Sequence, residues 1–167
     1  MVLLSELYKT GTQLFKEAAN ENDAKKKEAS LVKSVTYFRR SIDLDSRKSR
    51  THCALARSMN SLNYPVDSCL ESIDVSLKIN PNSVAANHEK ARILSRGGAY
   101  EEAMDIIKNL TERGACNAYT DAILKTIGKF RDLYDIVILS LTVISLWILV
   151  LSFIPIHRSS IRCYQQQ

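Results

Sequence analysis

The sequence has little that would interrupt a helix. Five glycines and three prolines are spread over 167 residues, and no useful stretch alternates apolar and polar residues with the period of two that a half-buried strand requires. Catalytic signatures are missing as well. There is no GxxxxGK[ST] phosphate loop, no GxGxxG and no HExxH. His52, His88 and His157 are scattered, and no Ser-centred elbow exists from which to build a triad. An enzyme is therefore not expected, and no cofactor is implied. Gly97-Gly98 follows a helical stripe rather than a strand, so it reads as a helix–helix turn and not as a phosphate cradle. Cys53, Cys69, Cys116 and Cys163 form no CxxC pair and no ligand spacing with the histidines, so no metal site is implied. They read as structural thiols of a reducing compartment. The start, Met1-Val-Leu-Leu-Ser-Glu6, lacks a basic region and its apolar run stops at Leu4, so no signal peptide is expected there.

Charge is also unevenly absent. Every Asp and Glu lies at or before Asp135, and from Ile136 to Ile156 there is no charge at all. Setting aside the tail with Arg158 and Arg162 lowers the net charge from +5 to +3, so the part before it is only mildly basic. The uncharged stretch reads IVILSLTVISLWILVLSFIPI. As a helix it would rise about 31 Å, close to the hydrocarbon thickness of a bilayer. Its polar residues are Ser and Thr, which can bond back to the backbone; Tyr134 marks one edge, Trp147 lies near the middle, and Pro155 falls in the last turn, where a break is tolerated. A buried core helix is seldom apolar on all sides for this length. Residues 136–156 are expected to be a single transmembrane anchor, followed by a short tail, 157–167. Lys125, Lys129 and Arg131 before the span against Arg158 and Arg162 after it favour a cytosolic N-terminal side. A span ending 11 residues from the C-terminus points the same way, because it would be inserted only after synthesis.

Before the anchor, apolar residues recur at helical spacing. The stripes are Leu4, Leu7, Gly11, Leu14; Leu31, Val35, Phe38, Ile42; Leu55, Met59, Leu62; Val66, Cys69, Ile73, Leu77; Ala91, Leu94; Tyr100, Ala103, Ile107, Leu110; and Tyr119, Ile123, Ile127, Phe130. Breaks fall at Asn80-Pro81-Asn82, Gly97-Gly98 and Gly114. About seven helices in pairs are predicted.

Residues 84–115 read VAANHEKARILSRGGAYEEAMDIIKNLTERGA. This resembles the tetratricopeptide repeat (TPR): Ala91 stands at the small position of the first helix, with Gly98, Tyr100 and Ala103 following at the family spacing. Residues 49–83 match with Ala56, Cys69 and Pro81 and the ending Leu77-Lys-Ile-Asn-Pro81, with one extra residue around Asn63-Tyr64-Pro65. Residues 4–46 match more loosely, with Gly11 at the close-contact position and an insertion, Ala19–Ser30, read as a helix extension plus loop. The resemblance implies an all-α, right-handed TPR-like array of about three helix pairs over 1–114. Residues 117–131 would supply a capping helix and linker, which a stacked array needs to cover its last apolar face.

In such arrays the first helices line the inner surface. On the family register this groove carries Tyr8, Thr12, Arg57, Asn60, His88, Arg92 and Ser95. Arg57 and Arg92 would make it electropositive and suited to an acidic or carboxylate-bearing peptide, unless both pair with Glu or Asp inside the array. The clamp by which some TPR domains hold a chaperone's C-terminal carboxylate uses two Lys, two Asn and one Arg. Here its places hold Tyr8, Thr12, Ala54, Ala85 and Glu89, and that reading is not supported. A second feature is a basic segment, 25–57, with ten Lys or Arg against Glu28, Asp43 and Asp45. Lys33, Arg40 and Arg47 recur every seven residues and are expected on one face opposite Phe38, either as a solvated surface or as a patch for an acidic partner or anionic lipid. Nucleic acid is not expected, since aromatic interleaving is missing.

The sequence therefore predicts a tail-anchored TPR adaptor or receptor holding a cytosolic protein at an organelle membrane. That membrane would be the mitochondrial outer membrane, the peroxisome or the endoplasmic reticulum. The layout is similar to the mitochondrial fission-type TPR receptors. The alternative is a structural subunit of a membrane complex such as a translocase, insertase or fission machinery.

Overall fold

The structure, a computed structural model, describes the chain over residues 2–115 and 118–153. The side chains of 2, 118, 119, 122, 123, 126, 127, 130, 131, 133–135 and 150–153 fall outside that description. Cys116, Cys163, Pro155 and the tail 157–167 lie outside the described residues, as do the side chains of Tyr134 and of the expected last stripe, Tyr119, Ile123, Ile127 and Phe130.

Seven helices and no strand are found among the described residues. They are α1 (Val2–Asn20), α2 (Ala24–Leu44), α3 (Ser49–Ser61), α4 (Val66–Ile79), α5 (Val84–Arg96), α6 (Tyr100–Glu112) and α7 (Ala118–Phe153). The chain divides into two units, 1–127 and 128–167. In the first unit α1 packs on α2, α3 on α4 and α5 on α6, while α2 meets α3, α4 meets α5, and α3 touches both α1 and α5. That is a stack of antiparallel helix pairs with the first helices side by side.

Local chemistry sets the ends. Asp23 caps α2, its side chain accepting from the amides of Lys25 and Lys26, and Ser83 caps α5 by accepting from Ala86. Gly98 (φ +83) and Gly114 (φ +68) take the left-handed conformation that lets α5 and α6 stop sharply. Between α3 and α4 the turn runs over 62–65, one residue longer than the 97–99 turn between α5 and α6. The extra length is absorbed by Asn63, in the left-handed region at φ +56. The segment Ala19–Ser30 is mostly helical. α1 runs on to Asn20 and α2 begins at Ala24, leaving only 21–23 as a connection.

The small residues sit where the helices cross. Gly11 faces Phe38 so closely that a β-carbon would stand 2.8 Å from the ring. Ala56 and Cys69, and then Ala91 and Ala103, are fully buried. One apolar cluster joins α2 to α5 through Val35, Phe38, Met59, Cys69, Ile73 and Ile93. A second, with Ala91, Leu94, Ala103, Ile107 and Leu110, takes in Leu124 of α7. Each fully buried Ile or Leu contributes about 1.5–3 kcal/mol relative to leaving it in water.

α7 includes both the expected cap and most of the expected span, because nothing between 118 and 153 breaks a helix; Gly128 is accommodated within it. Among the described residues no helix is long and apolar enough to cross a membrane. The described side chains of the 136–156 stretch end at Leu149. Over that part the apolar ones are exposed, from Ile136 to Leu149 with Trp147 at 65%, and Ser140, Thr142 and Ser145 lie among them.

Candidate peptide groove

The face formed by α3 and α5 gathers a polar cluster around one carboxylate. Glu89, one residue past His88 on α5, is fully buried. Its Oε2 accepts from Arg57 Nε at 3.2 Å. Its Oε1 accepts from Asn60 Nδ2 at 3.2 Å and from Arg92 Nε and Nη2 at 3.1 and 2.7 Å. Arg57 and Asn60 come from α3, three residues apart and therefore on one face. Arg92 stands three residues after Glu89 on α5. A buried carboxylate needs such compensation, because an ionised group without partners cannot remain in a dry interior.

Two guanidiniums share this one carboxylate. Both Arg side chains remain 36% exposed while Glu89 is sealed beneath them. The groove thus meets solvent with cations whose Nε edges are held from below. The carboxylate also dictates the orientation of Asn60. Its amide N–H must point at Glu89, which leaves its buried Oδ1 without a partner.

The cluster perturbs its neighbours. Burial pushes the Cys53 thiol above its ordinary range, with Arg57 and Arg92 opposing and Glu89 reinforcing the effect. It is a buried, inert thiol. His88 is held below its ordinary value by burial first and by the Arg57 charge second. Its Nε2 lies 2.8 Å from Thr120 Oγ1, tying α5 to the start of α7.

Of the sequence-predicted groove residues, the structure brings Arg57, Asn60 and Arg92 together around Glu89. Both Arg pair inside the array, with Glu89. His88 faces α7 and is buried, and Ser95 is buried. Tyr8 is half-buried with its ring 5.9 Å from that of Phe38, and Thr12 donates to the Tyr8 carbonyl, so these two serve α1 and its packing. The basic patch is corrected in one place. Lys33 and Arg40 are exposed on α2, but α2 ends at Leu44. Arg47 sits in the following turn, paired with Asp45 at 3.5 Å, and does not continue the helical face. The amide of Arg47, its guanidinium and Lys48 together hold the Asp45 carboxyl below its usual range.

Glu89 itself was not legible as a site residue. Its i+3 relation to Arg92 is a local signal, but the link to Arg57 spans two repeats. Two further inter-pair ties escaped the sequence: Lys90 to Asp74 at 2.7 Å, and Arg96 Nη2 to the Tyr64 carbonyl at 2.6 Å and the Cys69 sulfur at 3.7 Å.

No protein-family model matches this chain, and no curated protein matches it. Solved structures do. The TPR2B domain of yeast Sti1, determined as a complex with pHsp70, is similar with a TM-score of 0.62 at 14% identity, over 77% of this chain and 98% of that one. The Arabidopsis OM64 TPR domain is similar with a TM-score of 0.55 at 15% identity, over 74% of this chain and 98% of that one. The fold is that of TPR domains.

Proposed function

We propose that the chain is a non-enzymatic adaptor whose α3–α5 groove holds an extended peptide segment bearing a carboxylate. In this reading residues 136–156 fix it to an organelle membrane, the mitochondrial outer membrane, peroxisome or endoplasmic reticulum, with the helical array on the cytosolic side. The observation that carries the ligand reading is the pair of partly exposed guanidiniums on neighbouring helices, pre-oriented by a sealed Glu89. Charge-assisted hydrogen bonds to such groups are worth about 1.5–3 kcal/mol each. The likeness to TPR domains, one of them determined with a bound partner, supports a protein-binding role.

The membrane reading is supported by the exposed apolar run, far larger than a soluble surface tolerates. It is also supported by how the polar residues within the run behave. Ser140, Thr142 and Ser145 donate to the carbonyls of Val137, Leu139 and Thr142 at 2.7–2.8 Å, so these three hydroxyls do not need water.

The test is titration calorimetry of the full chain in detergent micelles against extended peptides that differ only by Asp or Asn at one position. The native chain should prefer the Asp peptide, and Arg92→Gln should weaken that binding by about tenfold or more, leaving Glu89 still held by Arg57 and Asn60. Equal binding of both peptides by the native chain overturns the groove assignment.

A fixed structural subunit is the second reading. A shallow notch of about 570 Å³, lined by Leu3, Leu4, Leu44 and the turn 45–47, favours it, because Leu3 and Leu44 remain more than half exposed beside it.

A further inference from the structure

α2 carries a charge arrangement that the groove does not use. Its 21 residues include Lys25, Lys26, Lys27, Lys33, Arg39 and Arg40 against Glu28 and Asp43. All six cations are exposed, and among the described residues none of them enters an ion pair. The inward face is Leu31, Ser34, Val35, Phe38 and Ser41. At about 100° per residue, Lys26, Lys33 and Arg40 fall within about 40° of one another on the opposite face, in steps of about 10 Å. This ladder of three lies wholly within the helix. Lys25 and Arg39 flank it, and Val32, 48% exposed, lies between them.

Two features argue against an indifferent solvated surface. Lys25, Lys26 and Lys27 occupy the first turn of α2, where the helix dipole disfavours cations, and the N-cap Asp23 is the carboxylate bonded to that turn. Three cations beside that one carboxylate still run counter to the dipole, a local conflict of the kind that marks positions held for function. Moreover, four of the six cations are lysines, flexible point charges rather than the rigid forks that read a fixed carboxylate. They are spread along the exposed surface of a helix. A notch lies at the far end of α2, beside Asp43 and Asp45.

We infer that the outward face of α2 is a docking surface for a bilayer rich in anionic lipid headgroups. Diffuse, laterally mobile negative charge suits such a ladder better than a shaped acidic protein does. The inference builds on the membrane reading above. An anchor would hold the array near a bilayer at high effective concentration, so that weak attractions by single lysines suffice. Docking through α2 leaves the α3–α5 groove available, because α2 is a second helix of its pair and the groove is built from first helices.

The experiment uses the full chain reconstituted into phosphatidylcholine vesicles, with or without about one-third phosphatidylserine, and labels lysines with a water-soluble acylating reagent read by mass spectrometry. Lys78 and Lys108 serve as internal references. Lys26 and Lys33 should react several-fold more slowly on the anionic vesicles only. The protection should vanish at about 0.5 M salt, where the screening length falls to a few ångströms. In Lys33→Glu/Arg40→Glu, with unchanged circular dichroism, Lys26 should lose its protection on anionic vesicles. Equal labelling in both vesicles overturns the proposal, as does protection that appears only when polyglutamate is added to neutral vesicles. Flotation with neutral vesicles reports separately on the anchor. Flotation without α2 protection sinks this inference alone, and failure to float sinks the anchor.

Discussion

Phe38 closes over Gly11: a β-carbon on residue 11 would stand 2.8 Å from the ring's Cε1 and 3.0 Å from its Cδ1. The ring is 1% exposed and locked among Val35, Met59 and their neighbours, so it has nowhere to retreat. The absence of a side chain at one position thus sets how closely the first helix pair can pack. Alanine there would regain about 1 kcal/mol of helix propensity, partly hiding the clash. Valine regains less of it and sets two more methyl groups against the ring. Gly11→Val is expected to lower stability by about 2 kcal/mol or more through overpacking. Gly128→Ala, where nothing lies within 4 Å of the added carbon, should be neutral or mildly stabilising. Thermal melts of the two variants check this, and equal melting temperatures would show that α1 does not pack on α2 in this register.

Much of this arrangement could be read from spacing. The turns at Asn80-Pro81-Asn82, Gly97-Gly98 and Gly114 fall between helices because Pro and left-handed Gly end helices by local chemistry. The extra residue near Asn63 was visible as a break in period. What could not be read depends on side chains far apart in sequence. The Arg57–Glu89 pair spans 32 positions, and nothing local to either residue distinguishes a groove cation from an internal partner. Arg47 was misplaced for the opposite reason: a seven-residue repeat ignores helix ends, and Asp45 and Arg47 bond to each other in the turn after Leu44. In Ala19–Ser30, read as a helix extension plus loop, the loop is only 21–23, because an Asp23 cap and good helix formers keep the rest helical.

Glu89 is expected to matter more to stability than either arginine. Glu89→Gln keeps the shape and removes the negative charge, leaving two guanidiniums facing each other. The cost should be about 2–4 kcal/mol, below that of a fully buried broken pair because both Arg remain partly solvated. Adding Arg92→Gln relieves the repulsion, so the double variant should be destabilised by less than the sum of the two. Urea titrations of the four proteins form the cycle, and strict additivity would show that the cluster does not act as a unit. Reversing both arginines to Glu would crowd three carboxylates together and unfold the array, so neutral substitutions are the informative ones.

Stability should fall on mild acidification through His88. Burial and the Arg57 charge hold its folded value below the ordinary value of about 6.5. The unfolded chain therefore takes up a proton first as pH falls. The contribution is fully present above 6.5 and is lost as pH drops through 6.5 toward the lowered folded value. Melting temperature should decline from pH 7.5 to 5.5 in the native protein and less steeply in His88→Gln, whose amide can still reach Thr120. Parallel slopes for the two proteins would remove His88 as the source.

The final expectation concerns residues 136–149. Ile136, Leu139, Leu141, Leu146, Trp147 and Ile148 are each more than half exposed, on all sides of α7. A soluble protein normally buries such a surface against a partner, and each apolar side chain so exposed forgoes about 1.5–3 kcal/mol. Either a bilayer or another protein must cover it, and the two differ in what carbonate extraction and truncation do. Ending the chain after Leu133 keeps α7 through the start that carries Thr120 and Leu124, so the array retains its last packing partner. The truncated protein should be soluble and diffuse, while the full chain should stay in the membrane pellet after an alkaline carbonate wash, which strips peripheral proteins. A full chain released by carbonate would mean that the exposed helix is covered by protein. A truncated chain that still pellets would place the membrane attachment elsewhere, and α2 would then be the first surface to substitute.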